Sequence, residues 1–145
     1  MRNKIILLVL LLASVATFAQ KKVTWQDLAD VEFEDKFFPE YGRYFLYPDF
    51  SESIKALEGQ KISITGYLLD IDPRGEVFVL SQGPMSSCFF CGVGGPETAM
   101  ELKFTEKHNF KMDDIITVTG TLSLNSDDVN HFNYILSGCE GKLAY

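Results

Sequence analysis

The sequence predicts a mostly β protein: a small five-stranded antiparallel barrel, with a short helix and an aromatic-rich N-terminal extension packed on it. Three observations carry that prediction. Five runs rich in β-branched and aromatic residues follow one another between residues 61 and 138, separated by turn residues at fairly regular spacing. No segment among them shows the period of a long helix. Two of the runs, "KISITGYLLDID" and "DIITVTGTLSL", hold a glycine in mid-strand, Gly66 and Gly120, where glycine marks a bulge or the sharp bend of a barrel corner. Oligonucleotide/oligosaccharide-binding (OB) barrels bend their first and fourth strands in this way, and these glycines fall in the first and fourth predicted strands.

The first residues, "MRNKIILLVLLLASVATFAQ", have the layout of a secretory signal: Arg2 and Lys4, an apolar stretch from Ile5 to Leu12, then Thr17-Phe18-Ala19. Cleavage after Ala19 is expected. The apolar stretch falls short of the ~18–20 residues of a membrane anchor, so the expected mature protein is periplasmic or extracellular rather than integral to a membrane. Residues 20–50 form the aromatic extension, crowded with Trp25, Phe33, Phe37, Phe38, Tyr41, Tyr44, Phe45, Tyr47 and Phe50. In a chain this small such residues chiefly fill core. Thr24 or Asp27 is expected to cap a short helix, and Val31-Glu32-Phe33-Glu34 alternates like the start of a strand.

Residues 51–145 supply the barrel. Its prelude, "PDFSESIKALEGQ", reads as a helical turn or two, capped by an Asp49–Glu52 capping box or by Ser51 and ended by Gly59. "KISITGYLLDID" and "EVFVLSQ" form a hairpin around the turn Asp72-Pro73-Arg74-Gly75. "TAMELKF", "DIITVTGTLSL" and "HFNYILSG" supply the third, fourth and fifth strands.

Composition narrows the function. The whole chain carries a net charge of −7, and without the basic residues of the signal 11 basic residues face 20 acidic ones, about −9. A chain this acidic repels phosphate backbones, which excludes nucleic-acid binding by bulk electrostatics. Three cysteines, Cys88, Cys91 and Cys139, are informative in an oxidising compartment, where thiols persist only if paired, metal-bound, buried or catalytic.

The order "TWQDLADVEF", "YPDFSESIKALEGQKISITGYLLDID", a strand, a cysteine-bearing loop, another strand and a closing "NYILSG" resembles the bacterial envelope family of domain of unknown function 3299. The resemblance implies an exported, barrel-like protein, sometimes encoded near envelope transport systems, with no established reaction. In that family the loop after the second strand carries a cysteine and then a histidine amid prolines. Here that loop, "SSCFFCGVGGPE", has Cys88 and Cys91 and no histidine.

If successive strands reverse direction, the Cys88–Cys91 loop and the loop between strands four and five lie at one end of the barrel, with Asp127, Asp128 and His131 in or beside the second. Cys139, read as lying just past strand five, falls at the other end with His108, an expected exposed turn residue. Three readings of the cysteine pair follow. The two thiolates with His131, and with Asp127 or Asp128, could make a tetrahedral zinc-like site. The pair could oxidise to a structural disulfide that stiffens the loop. It could exchange disulfides with a partner, which requires a helix start or a cation beside one thiol; Gly-Val-Gly-Gly-Pro follows Cys91, and residues 82–98 hold no lysine or arginine. The sequence thus points to an exported, non-enzymatic binding or accessory module with an envelope protein as partner, the alternative being a thiol-disulfide oxidoreductase using Cys88 and Cys91.

Overall fold

A computed structural model describes residues 20–72, 74 and 77–145. The expected signal over residues 1–19 lies outside the described residues, as do Pro73 and Gly75 of the expected turn.

The aromatic extension comprises β1 (Lys21–Lys22), α1 (Trp25–Leu28), β2 (Val31–Phe38) and β3 (Arg43–Phe50). Thr24 caps α1 in a reciprocal box with Asp27, which satisfies two backbone donors at the helix start. Strands β2 and β3 form a hairpin, paired from Val31↔Phe50 to Phe38↔Arg43. Its turn passes through Gly42 at φ +63°, a backbone conformation that suits glycine. The extension is stitched to the barrel rather than merely laid upon it. β1 runs parallel to the first barrel strand, the Trp25 indole donates to the Thr65 carbonyl at 2.9 Å, and the buried Tyr134 hydroxyl donates to the Leu28 carbonyl at 2.7 Å.

Helix α2 (Glu52–Lys55) is capped by Ser51, whose hydroxyl accepts from Ile54 N. Asp49 is unavailable for the alternative capping box because it belongs to β3, opposite Glu32. Gly59 ends the segment at φ +73°, as expected.

The barrel consists of β4 (Lys61–Asp70), β5 (Phe78–Ser81), β6 (Ala99–Phe104), β7 (Ile115–Leu124) and β8 (Tyr134–Leu143). Round the ring the order is β4-β5-β6-β8-β7 and back to β4. Ile62, Ile64, Leu68, Leu80, Met100, Leu102, Ile116, Val118, Leu122 and Leu136 point inward, joined by Val23, Leu28, Phe50, Ile54 and Leu57 from the preceding segments.

Among the five barrel strands the expected antiparallel pairing is corrected in one place: β6 and β8 pair in parallel. Strands that alternate in direction along the chain cannot alternate all round a ring of five. The ring must close on one like-directed pair, here the third and fifth strands. A second correction concerns Cys139, which lies inside β8 and is 1% exposed. Both neighbours of β8 skip one residue there: Thr119 pairs with Glu140 and Thr121 with Ser137, while Lys103 pairs with Ser137 and Phe104 with Cys139. Gly138, at φ +65°, is the extra residue of a bulge. It continues the strand that its glycine seemed to end, and it turns Cys139 rather than residue 138 into the core.

His108 also departs from expectation. It does not sit in an exposed turn but packs against Phe78, Phe104 and Phe110, with ring centroids 4.5, 4.3 and 5.2 Å away. Its two ring nitrogens are buried without a hydrogen-bond partner.

Candidate functional site at the loop end of the barrel

Strand alternation turns Leu69, Val79, Ala99 and Glu101 away from the barrel interior, on the outer face of β4, β5 and β6. In OB folds the face of the second and third strands receives the ligand. Here the chain's own loop fills it. Residues 82–98 fold back so that Cys88 is buried against Leu69, Val79 and Ala99, with Met85, Phe89 and Phe132 packed around them. The result is a second, smaller core outside the barrel. Of the adjacent rings in the loop, Phe89 is half-buried in this cluster and Phe90 is exposed.

Short 3-10 turns, Met85–Ser87 and Phe89–Cys91, set the cysteine geometry. Cys91 N donates to Cys88 O at 3.0 Å, and Gly92 ends the turn in the left-handed region at φ +79°. This curl brings the two sulfurs to 3.9 Å, and both thiols donate to the Met85 carbonyl, Cys88 at 3.3 Å and Cys91 at 2.9 Å. Both are free thiols, Cys88 buried and Cys91 exposed. Cys139 stands apart, in the barrel core, its thiol donating to Leu136 O. Burial pushes that thiol up to about 11.

The expected neighbourhood of the two loops holds: Phe90 meets Phe132 with ring centroids 5.9 Å apart. The other expected ligands are otherwise engaged. His131 Nδ1 lies 2.9 and 3.0 Å from the two carboxylate oxygens of Glu101, and Asp127 pairs with Lys36 at 3.8 Å. Among the described residues no group of three or more His, Cys, Asp and Glu side chains gathers to hold a metal.

Glu101 is the site residue that the sequence conceals. It is 6% exposed, because the Cys88 loop and the 125–133 loop close over the outer face of β6. A carboxylate buried this far needs partners, and it has His131, Phe132 N at 3.4 Å and Lys103 Nζ at 3.7 Å. The one available signal was an acidic residue between apolar neighbours in "AMELKF". With Nδ1 held by a carboxylate, His131 is left with Nε2 as the ring nitrogen free to accept or to ligate.

Beside this pair a groove of about 510 Å³ opens between the β2–β3 hairpin and the cysteine loop. Phe38, Phe45 and Leu46 line it from the hairpin, Phe90 from the loop, and His131 and Phe132 from the segment before β8. The hairpin is tied to that segment by Lys36–Asp127 and by Asn130 Nδ2 donating to the Tyr41 hydroxyl at 3.2 Å.

No family model matches this sequence, and no curated protein does. The arrangement of strands is nevertheless that of a solved protein, a DUF3299 family protein from Pseudomonas aeruginosa, which superposes with a TM-score of 0.56 at 14% identity, over 88% of this chain and 97% of that one. The chain shares its fold with a DUF3299 protein. The DUF3299-like fold thus includes the N-terminal extension as well as the barrel, since the barrel alone could not reach that coverage. Among the described residues no helix is long and apolar enough to cross a membrane.

Proposed function

We propose that this protein is an exported, non-enzymatic binding or accessory module of the bacterial envelope, and that its working end is the loop end of the barrel. The observation that carries the reading is the use made of the outer face of β5 and β6. The chain fills the usual OB ligand surface with its own cysteine loop, and it leaves aromatic side chains exposed at the rim of that loop and on the facing hairpin.

In this reading Cys88 and Cys91 close as a disulfide that fixes the loop. Its support is the separation of 3.9 Å across a single 3-10 turn, within reach of bonding by small rotations about the side chains. Zinc is the second reading, because thiolates bound at about 2.3 Å in a tetrahedral site lie at a similar separation. Cys88 and Cys91 would supply two ligands and His131 Nε2 a third, with Nδ1 kept on Glu101, while Asp127 would have to leave Lys36 to supply the fourth. A thiol-disulfide oxidoreductase has less support, because residues 82–98 contain no cation and Cys91 ends a 3-10 turn instead of starting a helix.

A photo-crosslinking residue in place of Phe90, compared in intact cells with one in place of Lys107, tests the working end. A discrete protein adduct from position 90 and none from position 107 is expected. No adduct from position 90, or the same adduct from both, contradicts the reading.

A further inference from the structure

We infer that the groove between the hairpin and the cysteine loop binds an extended peptide segment of a partner protein, one that sets an apolar anchor beside a lysine or arginine. The inference rests on the binding-module reading and names the ligand of that same end.

The shape and lining come first. About 510 Å³ holds one or two large side chains, and it falls in the range of ordinary ligand sites, roughly 300–1,000 Å³. The apolar surface continues beyond the groove. Phe37, in contact with the lining residue Tyr44, is 47% exposed, and of the lining itself Tyr44 is 66%, Leu46 50% and Phe90 43% exposed. Rings in contact run along both sides, Phe37 with Tyr44 at 5.2 Å and Phe89 with Phe90 at 5.6 Å. Exposed apolar residues gathered in this way mark an interaction surface. A sugar or a nucleic-acid base would stack on the rings and gain nothing from Leu46. Apolar side chains of a polypeptide use all of them.

Charge selects among polypeptides. Asp35 and Asp128 line the groove, and no lysine or arginine does. The Asp128 carboxylate accepts from the backbone and side-chain nitrogens of Asn130, both at 3.0 Å, and these bonds hold it below the usual carboxylate range. The hairpin cation Lys36 is already engaged, 3.7 Å over the Tyr47 ring and 3.8 Å from Asp127. A segment carrying Lys or Arg therefore meets two carboxylates and no lysine or arginine in the lining, and a negative segment is repelled. Among the described residues β2 and β3 form a sheet of their own, so each keeps one edge without a strand partner. An extended segment can add to such an edge.

Titration of the ¹⁵N-labelled mature protein with short synthetic peptides tests this. One peptide carries Leu-Phe flanked by lysines, a second the same pair flanked by glutamates, and a third has serines in place of Leu-Phe between the lysines. Saturable binding of the first alone is expected, with amide shifts centred on Phe45, Leu46, Phe90 and Phe132 and an affinity that falls as salt is raised. In the D35N/D128N variant that affinity should fall about fivefold with the spectrum of the free protein preserved. Equal or tighter binding of the glutamate peptide, shifts centred elsewhere, or an oligosaccharide displacing the peptide would overturn the inference. A position-90 adduct in cells with no binding of the lysine peptide removes this ligand class and leaves the binding module standing. Absence of both removes both.

Discussion

His108 shows what a single side chain can do against its sequence context. "TEKHNF" is polar enough to read as solvated, yet the ring lies among Phe78, Phe104 and Phe110. Phe104 and Phe110 flank it within a few residues, but Phe78 comes from β5, and that third wall of the cluster has no local signal. Desolvation lowers its proton affinity below the ordinary value of 6.5, opposed by the charge of Asp70. The sign follows from linkage: below pH 6.5 the unfolded chain takes up a proton that the folded chain resists, so stability is full above that pH and declines as the pH drops toward the lower folded value. Urea midpoints at pH 7.5 and 5.5 should therefore differ less in His108→Phe than in the wild type; equal differences would show that His108 does not set this slope. The cysteines separate as sharply. In reduced native protein a maleimide should label Cys91 rapidly and Cys139 only on unfolding, since Cys139 is 1% exposed and its thiol is raised to about 11. Labelling of Cys139 at the rate of Cys91 would contradict its place in the barrel core.

At the level of elements, the strands were the most legible part, because alternation and turn residues are local signals. The glycines were legible as bends, but their particular duties were not. Gly66 is needed for close approach: a Cβ there would stand 2.6 Å from the Ser81 carbonyl oxygen and 3.1 Å from the Trp25 ring. Gly66→Ala should cost about 1–3 kcal/mol, the usual effect of forcing atoms into a packed site. A midpoint unchanged in urea would mean that β4 and β5 can part there at no cost. Gly138 misled in the opposite sense, because a glycine after a strand-like run looks like a terminus and a bulge depends on the two neighbouring strands. The β2–β3 hairpin was half seen. Its first strand alternates visibly, and "PEYG" supplies a turn between two aromatic runs, but that aromatic density reads equally well as filling for a core.

Over the whole molecule, parity did more than propensity. Counting strand reversals placed the cysteine loop beside the 125–133 loop, and Phe90 against Phe132 bears this out. The same count, carried round a ring of five, demands the parallel β6–β8 pair. The candidate site was legible only in part. Cys88 and Cys91 are neighbours in sequence and in space, whereas the Glu101–His131 pair joins residues 30 apart through loops whose closure no local pattern encodes. The proposal on which the rest depends is that the protein is exported and works through a loop end braced by Cys88 and Cys91. An intact mass of the native protein recovered from the envelope without reductant or chelator tests it most directly. The expected result is a chain beginning at Gln20, lighter by the two hydrogens of one disulfide, with peptide mapping placing that bond between Cys88 and Cys91. A chain still carrying residues 1–19, or one with Cys88 and Cys91 unbonded and metal-free, would contradict it.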